Sequence, residues 1–133
     1  MTSEQSKDVV AAAFGGWARG DGNFFSILAD DVSWTITGSS PVAGTYTSRR
    51  DFTERVLRPI GERLSQPIRP TVERIITRGD TVVVLWTGHA VAKDGQPYDN
   101  RYCWVLRLEG GKVKAVAFFD SAALTDLFER VSA

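Results

Sequence analysis

The stretch TVVVLWTGHAVAKDGQPYDNRYCWVLRLEGGKVKAVAFFD, residues 81–120, decides the fold. It holds three runs rich in β-branched and aromatic residues: Thr81 to Val91, Tyr98 to Leu108, and Val113 to Phe119. Two turn signals, Asp94-Gly95 and Gly110-Gly111, separate them, which is the pattern of consecutive hairpins. A fourth run, Ile68 to Thr77, precedes the Gly79-Asp80 turn and extends the meander upstream.

Before the meander the periodicity changes. Val9, Val10, Ala13, Phe14 and Trp17 recur at helical spacing and give one apolar stripe. Gly20-Asp21-Gly22 breaks it, and Asp21 is placed to cap a short helix carrying Phe24, Phe25, Ile27 and Leu28. Val32, Trp34 and Ile36 alternate with polar residues, predicting an early strand. Gly38-Ser39-Ser40-Pro41 reads as a loop. Ser48 then caps a helix with Phe52, Val56 and Leu57 on one side, ended by Pro59 and Gly61. Asp120 or Ser121 caps a last helix through Leu124, Leu127 and Phe128. Helices on one face of a strongly curved, mainly antiparallel sheet make an α+β fold with a conical cavity. The 133 residues read as one domain, 1–133.

Sixteen basic and sixteen acidic residues cancel. A neutral chain lacks the electrostatic footprint of a nucleic-acid binder. The longest apolar stretch, Val82 to Trp86, is far too short to span a membrane. The single cysteine, Cys103, forms no internal disulfide, no Cys/His cluster predicts a metal, and no motif predicts a cofactor. Cytoplasm is the expected location.

Several stretches in this order resemble the nuclear-transport-factor-two-like superfamily, in its SnoaL-like and steroid-isomerase-like branch. They are Trp17-Ala18-Arg19-Gly20-Asp21, Leu28-Ala29-Asp30-Asp31-Val32, the Gly38 to Gly44 loop, Asp94 to Tyr102, Gly110-Gly111-Lys112-Val113 and Phe118-Phe119-Asp120. The resemblance implies the conical pocket and an apolar or aromatic organic ligand. It does not fix an activity. The steroid-isomerase base would fall at about Ile36 or Thr37, its tyrosine donor near Ala13 and its protonated acid near Cys103 or Trp104. Two of the three groups of the epoxide-hydrolase triad, two carboxylates bridged by an arginine, would fall at about Leu85 and Thr87. None of these residues supplies that chemistry. SnoaL-like cyclases use a histidine and a carboxylate, for which His89 and Asp120 are the candidates.

A two-residue Asp94-Gly95 turn would set His89 opposite Asn100, Thr87 opposite Tyr102 and Leu85 opposite Trp104, all on one face. A bulged turn at Gly110-Gly111 would add Val116, Phe118 and Asp120, whereas a two-residue turn would add Phe119 instead. On the first arrangement His89 or Asp120 moves a proton next to a carbonyl, while Asn100 and Tyr102 hold the oxyanion. Trp104, Phe118, Trp17 and Trp34 then line the substrate pocket. Each residue also has a structural alternative: His89 on a solvent or dimer face, Asp120 as a helix cap, Asn100 and Tyr102 in cross-strand packing. The competing function is a non-catalytic binding or association module. In either case a homodimer through the open sheet face is expected, since Val and Leu there need covering.

Overall fold

The computed structural model describes residues 2–109 and 112–132, and only the backbone of Lys112. Helix α1 (Ser3–Arg19) opens with a reciprocal cap. Gln5 N donates to Thr2 Oγ1 at 3.1 Å, and Thr2 N donates to Gln5 Oε1 at 2.9 Å. Gly20, at φ +84°, closes it in the left-handed region. Its buried stripe is Ser6, Val10, Phe14 and Trp17. The short helix expected next is a single 3₁₀ turn, Phe24–Ile27, preceded by Asn23. Asp21 does not cap it, because its carboxylate pairs with Arg19 at 3.1 Å.

Strand β1 (Ser33–Ile36) lies where alternation placed it. A three-residue strand β2 (Gly44–Tyr46), too short to show a period, pairs antiparallel with it. Ser48 caps α2 (Arg49–Phe52), which continues through a π turn (Thr53–Leu57) into α3 (Arg58–Gly61). Pro59 therefore does not end the helix. Arg58 N donates five residues back to Thr53 O, and the widened turn accommodates a proline that has no N–H to give.

Four long strands follow: β3 (Leu64–Arg78), β4 (Thr81–Ala92), β5 (Pro97–Glu109) and β6 (Lys112–Phe119). The sheet order is β2-β1-β6-β5-β4-β3. The β1–β6 pair is parallel and the other pairs antiparallel, so the sheet is mixed. Three register shifts along β3 bend that edge. The helices close over the concave face, where the core gathers.

The β4–β5 loop has three residues rather than two. Gly95 N donates to Ala92 O at 2.9 Å, and Ala92 N donates to Gln96 O at 2.8 Å. Gly95 has φ +85°, while no non-glycine residue among the described residues has positive φ. A type I′ turn would need Asp94 in the left-handed region as well. Instead the Asp94 carboxylate accepts from Gln96 N at 3.0 Å, the bond that does most to hold its pKa below the ordinary value.

Helix α4 (Ser121–Arg130) packs its Leu124 and Leu127 into the core. Arg130 pairs with Asp94 and Asp126, tying α4 to the β4–β5 loop. Arg63 donates to Val131 O and Pro59 O, and its guanidinium lies 4.0 Å from the Phe128 ring centre. No helix among the described residues is long and apolar enough to cross a membrane.

Asp120 caps α4: its Oδ1 accepts from Ala122 N at 3.0 Å and Ala123 N at 3.4 Å. Asp120→Ala is expected to cost about 1 kcal/mol of stability, and Asp120→Asn only a few tenths, in denaturant midpoints. Equal losses in the two variants would contradict a capping role.

Candidate functional site

The concave face encloses a cavity of about 320 Å³. Its deep wall comes from inward residues of four strands: Trp34 and Ile36 of β1, Trp86 of β4, Tyr98, Tyr102 and Trp104 of β5, and Ala117 and Phe119 of β6. The helical wall adds Trp17, Phe25, Phe52, Val56 and Leu124. Asn23, Gly61 and Pro67 are the exposed members of the wall and mark its mouth. The rings brace one another. Trp104 meets Trp34 edge-on at 4.9 Å and Trp86 edge-on at 4.8 Å, while Trp34 stacks on Phe52 at 4.9 Å. Each such pair contributes about 0.5–1.5 kcal/mol beyond its buried area.

The three-residue loop moves the β4–β5 register by one, which exchanges the faces of β4. Trp86 pairs with Tyr102, Gly88 with Asn100 and His89 with Asp99. The expected patch is corrected accordingly. His89, Thr87 and Leu85 lie on the outer face, away from the cavity. The His89 side chain is 57% exposed, and its Nδ1 lies 3.1 Å from Asp99 Oδ1. On β6 the preferred bulge is also overturned. The Gly110-Gly111 turn lies outside the described residues, but Glu109 pairs with Lys112 and Tyr102 with Phe119. Phe119 therefore faces the cavity, and Phe118 is 47% exposed outside it. Asp120 is exposed and occupied as a cap, and it is not part of the cavity wall.

Of the residues expected to line the pocket, Trp17, Trp34, Tyr102 and Trp104 do so. Asn100 does not, because its amide is fully used. Nδ2 donates to Tyr98 Oη at 3.1 Å and Asp120 O at 3.0 Å. Oδ1 accepts from Arg101 N at 2.9 Å and Asp120 N at 3.1 Å. It thus fastens the end of β5 to the start of α4.

Sequence reading missed Tyr98, Trp86, Phe119 and the mouth. One signal was available: Trp86 and Trp104 share an inner face only if the β4–β5 loop has an odd length. Gly88 was another, since a strand glycine marks a close approach. A Cβ there would stand 2.9 Å from Ile68 Cγ2 and 3.0 Å from Tyr102 Cε2. Its absence lets Tyr102 stack on Trp86 at 4.0 Å with 10° between planes.

The polar groups of the deep wall are two phenols and the Trp86 indole Nε1–H, which is buried without a hydrogen-bond partner among the described residues. Asn100 Nδ2 donates to Tyr98 Oη at 3.1 Å, and Tyr102 lines the same wall. Neither phenol donates a hydrogen bond to another of the described residues. Burial raises the pKa of Tyr98, opposed in part by hydrogen bonding, and pushes Tyr102 well above the ordinary value. Both therefore stay protonated donors at neutral pH. No group of His, Cys, Asp or Glu among the described residues is arranged to hold a metal.

The profile of the SnoaL-like domain matches residues 10–116. No curated protein matches the chain. Solved structures share the fold at low identity. An NTF2-like protein from Burkholderia thailandensis has TM-score 0.76 and 22% identity, over 96% of this chain and 97% of that one. Bal32a, from a soil-derived mobile gene cassette, has TM-score 0.76 and 21% identity, over 95% and 98%. TerC, co-crystallised with polyporic acid, has TM-score 0.74 and 21% identity, over 93% and 98%.

A tyrosine whose folded pKa is raised contributes stability that is present below its unfolded pKa and lost as pH rises through the folded one. Stability is therefore expected to fall as pH climbs above the ordinary tyrosine value of 10.0. Tyr102→Phe should flatten that fall in denaturant midpoints measured across the alkaline range. An unchanged slope would mean that Tyr102 ionises as readily folded as unfolded.

Proposed function

The chain belongs to the SnoaL-like domain family, and we propose that it is a binding module for a small, uncharged, flat aromatic molecule. The single observation that carries this reading is the cavity wall. Apart from Asn23 and Gly61 at the mouth it is aromatic and aliphatic, with unspent phenolic donors in its depth and no charged side chain among the described residues. A carbonyl or phenol oxygen of the ligand accepts a free tyrosine proton, and the rings pack against Trp34, Trp86 and Trp104. A charged ligand finds no counter-ion there, and burying an unpaired charge costs several kcal/mol. The crystallisation of one fold relative with polyporic acid supports a small organic ligand for this scaffold.

Proton transfer by His89 or Asp120 finds no support in this geometry. His89 faces outward, and Asp120 is spent on the α4 cap. The non-catalytic reading is therefore preferred over an isomerase, dehydratase or cyclase.

Two biphenyl probes on one frame test the reading by quenching of tryptophan fluorescence. The ketone para-acetylbiphenyl is expected to bind at least about 100-fold more tightly than biphenyl-para-carboxylate. Tyr102→Phe should weaken the ketone by about 2–12-fold, the worth of one neutral hydrogen bond. Equal binding of ketone and carboxylate would sink the proposal.

We also propose that the outer sheet face forms a homodimer. Ile76, Val83, Val105 and Val116 make one apolar row across four strands, and Leu85, Cys103 and Phe118 make a second. Ile76 and Phe118 are 45% and 47% exposed. Ions at the two ends of these rows are already paired within the chain, Arg101 with Glu73 and Arg107 with Asp80. Arg74 flanks the second row on β3, opposite Leu85, and the remainder of the centre is uncharged, which suits a two-fold contact of one patch with itself. Sedimentation should show a dimer at micromolar concentration and a monomer for Phe118→Glu. A wild-type chain that sediments as a monomer would remove the idea.

A further inference from the structure

The cavity has a second polar feature, at its mouth. Asn23 lines the wall there and is exposed. It stands immediately before the 3₁₀ turn, where an asparagine side chain ordinarily accepts a backbone N–H two or three residues on. Asn23 makes no such bond. Ser26 instead donates its Oγ to the Asn23 backbone carbonyl at 3.0 Å. The Asn23 amide has no hydrogen-bond partner among the described residues, so two donors and one acceptor carbonyl are left for whatever enters.

The chain delivers this amide to the mouth by a sharp reversal. Gly20 and Gly22, at φ +84° and +121°, turn the chain back after α1. Asp21 is held by Arg19 at 3.1 Å, and the Arg69 guanidinium donates to Trp17 O at 3.4 Å. The cavity therefore carries two uncharged polar poles, the tyrosine pair in its depth and Asn23 at its entrance, with apolar wall between them.

We infer that Asn23 is a specificity-determining residue, selecting an elongated ligand with a second uncharged polar group, a hydroxyl or a carbonyl, at the end that remains near the mouth. This rests on the proposed binding function and narrows its ligand class. A one-ended aromatic ketone satisfies only the inner pole. A two-ended molecule satisfies both and gains the Asn23 contact without burying a charge.

The test pairs para-acetylbiphenyl with its para′-hydroxy derivative, again by quenching of tryptophan fluorescence. In the wild-type chain the hydroxylated ketone is expected to bind about 3–10-fold more tightly. Asn23→Ala and Asn23→Leu should each erase that advantage, read as the ratio of the two affinities within one variant, with the plain ketone still bound. The plain ketone thereby reports whether the variants are folded. If the advantage is absent in the wild type, or persists in both variants, the inference is wrong and the binding function stands. If neither ketone binds the wild-type chain, both the function and the inference fail.

Discussion

The hydrogen bond from Gln96 N to the Asp94 carboxylate fixes more of this molecule than its place in a surface loop implies. It is compatible with Asp94 in a right-handed conformation and leaves Gly95 alone to turn left-handed. The loop then has three residues, and β4 meets β5 with Trp86 opposite Tyr102. A loop shorter by one would turn Trp86, Gly88 and Val84 outward and bring His89, Thr87 and Leu85 in. Arg130 holds the same carboxylate from α4, so the loop that sets the register is also fastened to the helix that closes the cavity.

Behind the cavity wall, Asn100 plays a similar part. A buried amide with all its bonds made is worth more to a structure than to a ligand, because removing any one partner strands another. By serving Tyr98 and Asp120 together, it joins a phenol of the cavity wall to the first residue of the α4 cap. The tyrosine pair is thus held from behind by β5 and α4, and its hydroxyls line the deep wall alongside Trp86, whose indole N–H is buried without a partner among the described residues. Proximity of the Asp120 charge raises the Tyr98 pKa a little further, in the same direction as burial.

The fold was legible in the sequence because its signals are long. The stripe Val10, Phe14, Trp17 and the β-branched runs of residues 81–91, 98–108 and 113–119 carry their periods over many residues, and α1 and β4–β6 follow them. The inward set of β5 was legible as well, since Tyr102 and Trp104 alternate with charged or small residues. What could not be read was parity. Both faces of β4 are apolar, Val82, Val84 and Trp86 against Val83 and Leu85, so alternation does not say which set is inside. The decision falls to one loop residue, and Asp-Gly is compatible with two loop lengths. The same holds for β6, where Phe118 and Phe119 are adjacent and equally apolar. Asn23 was hidden for a different reason: a polar residue beside Gly20-Asp21-Gly22 looks like loop, and only the closed chain shows it lining a cavity.

The π turn at Thr53–Leu57 bears on how such a pocket changes over evolutionary time. It is one residue longer than the regular turn it replaces, and Phe52, Val56, Leu57 and Ile60 all reach the cavity around it. Losing that residue would restore regular winding and close the bulge that spaces these side chains along the wall. Ligand preference on this wall is therefore open to change through chain length as well as through substitution. A lineage could reshape its pocket by a single codon deletion, with the sheet and its register untouched.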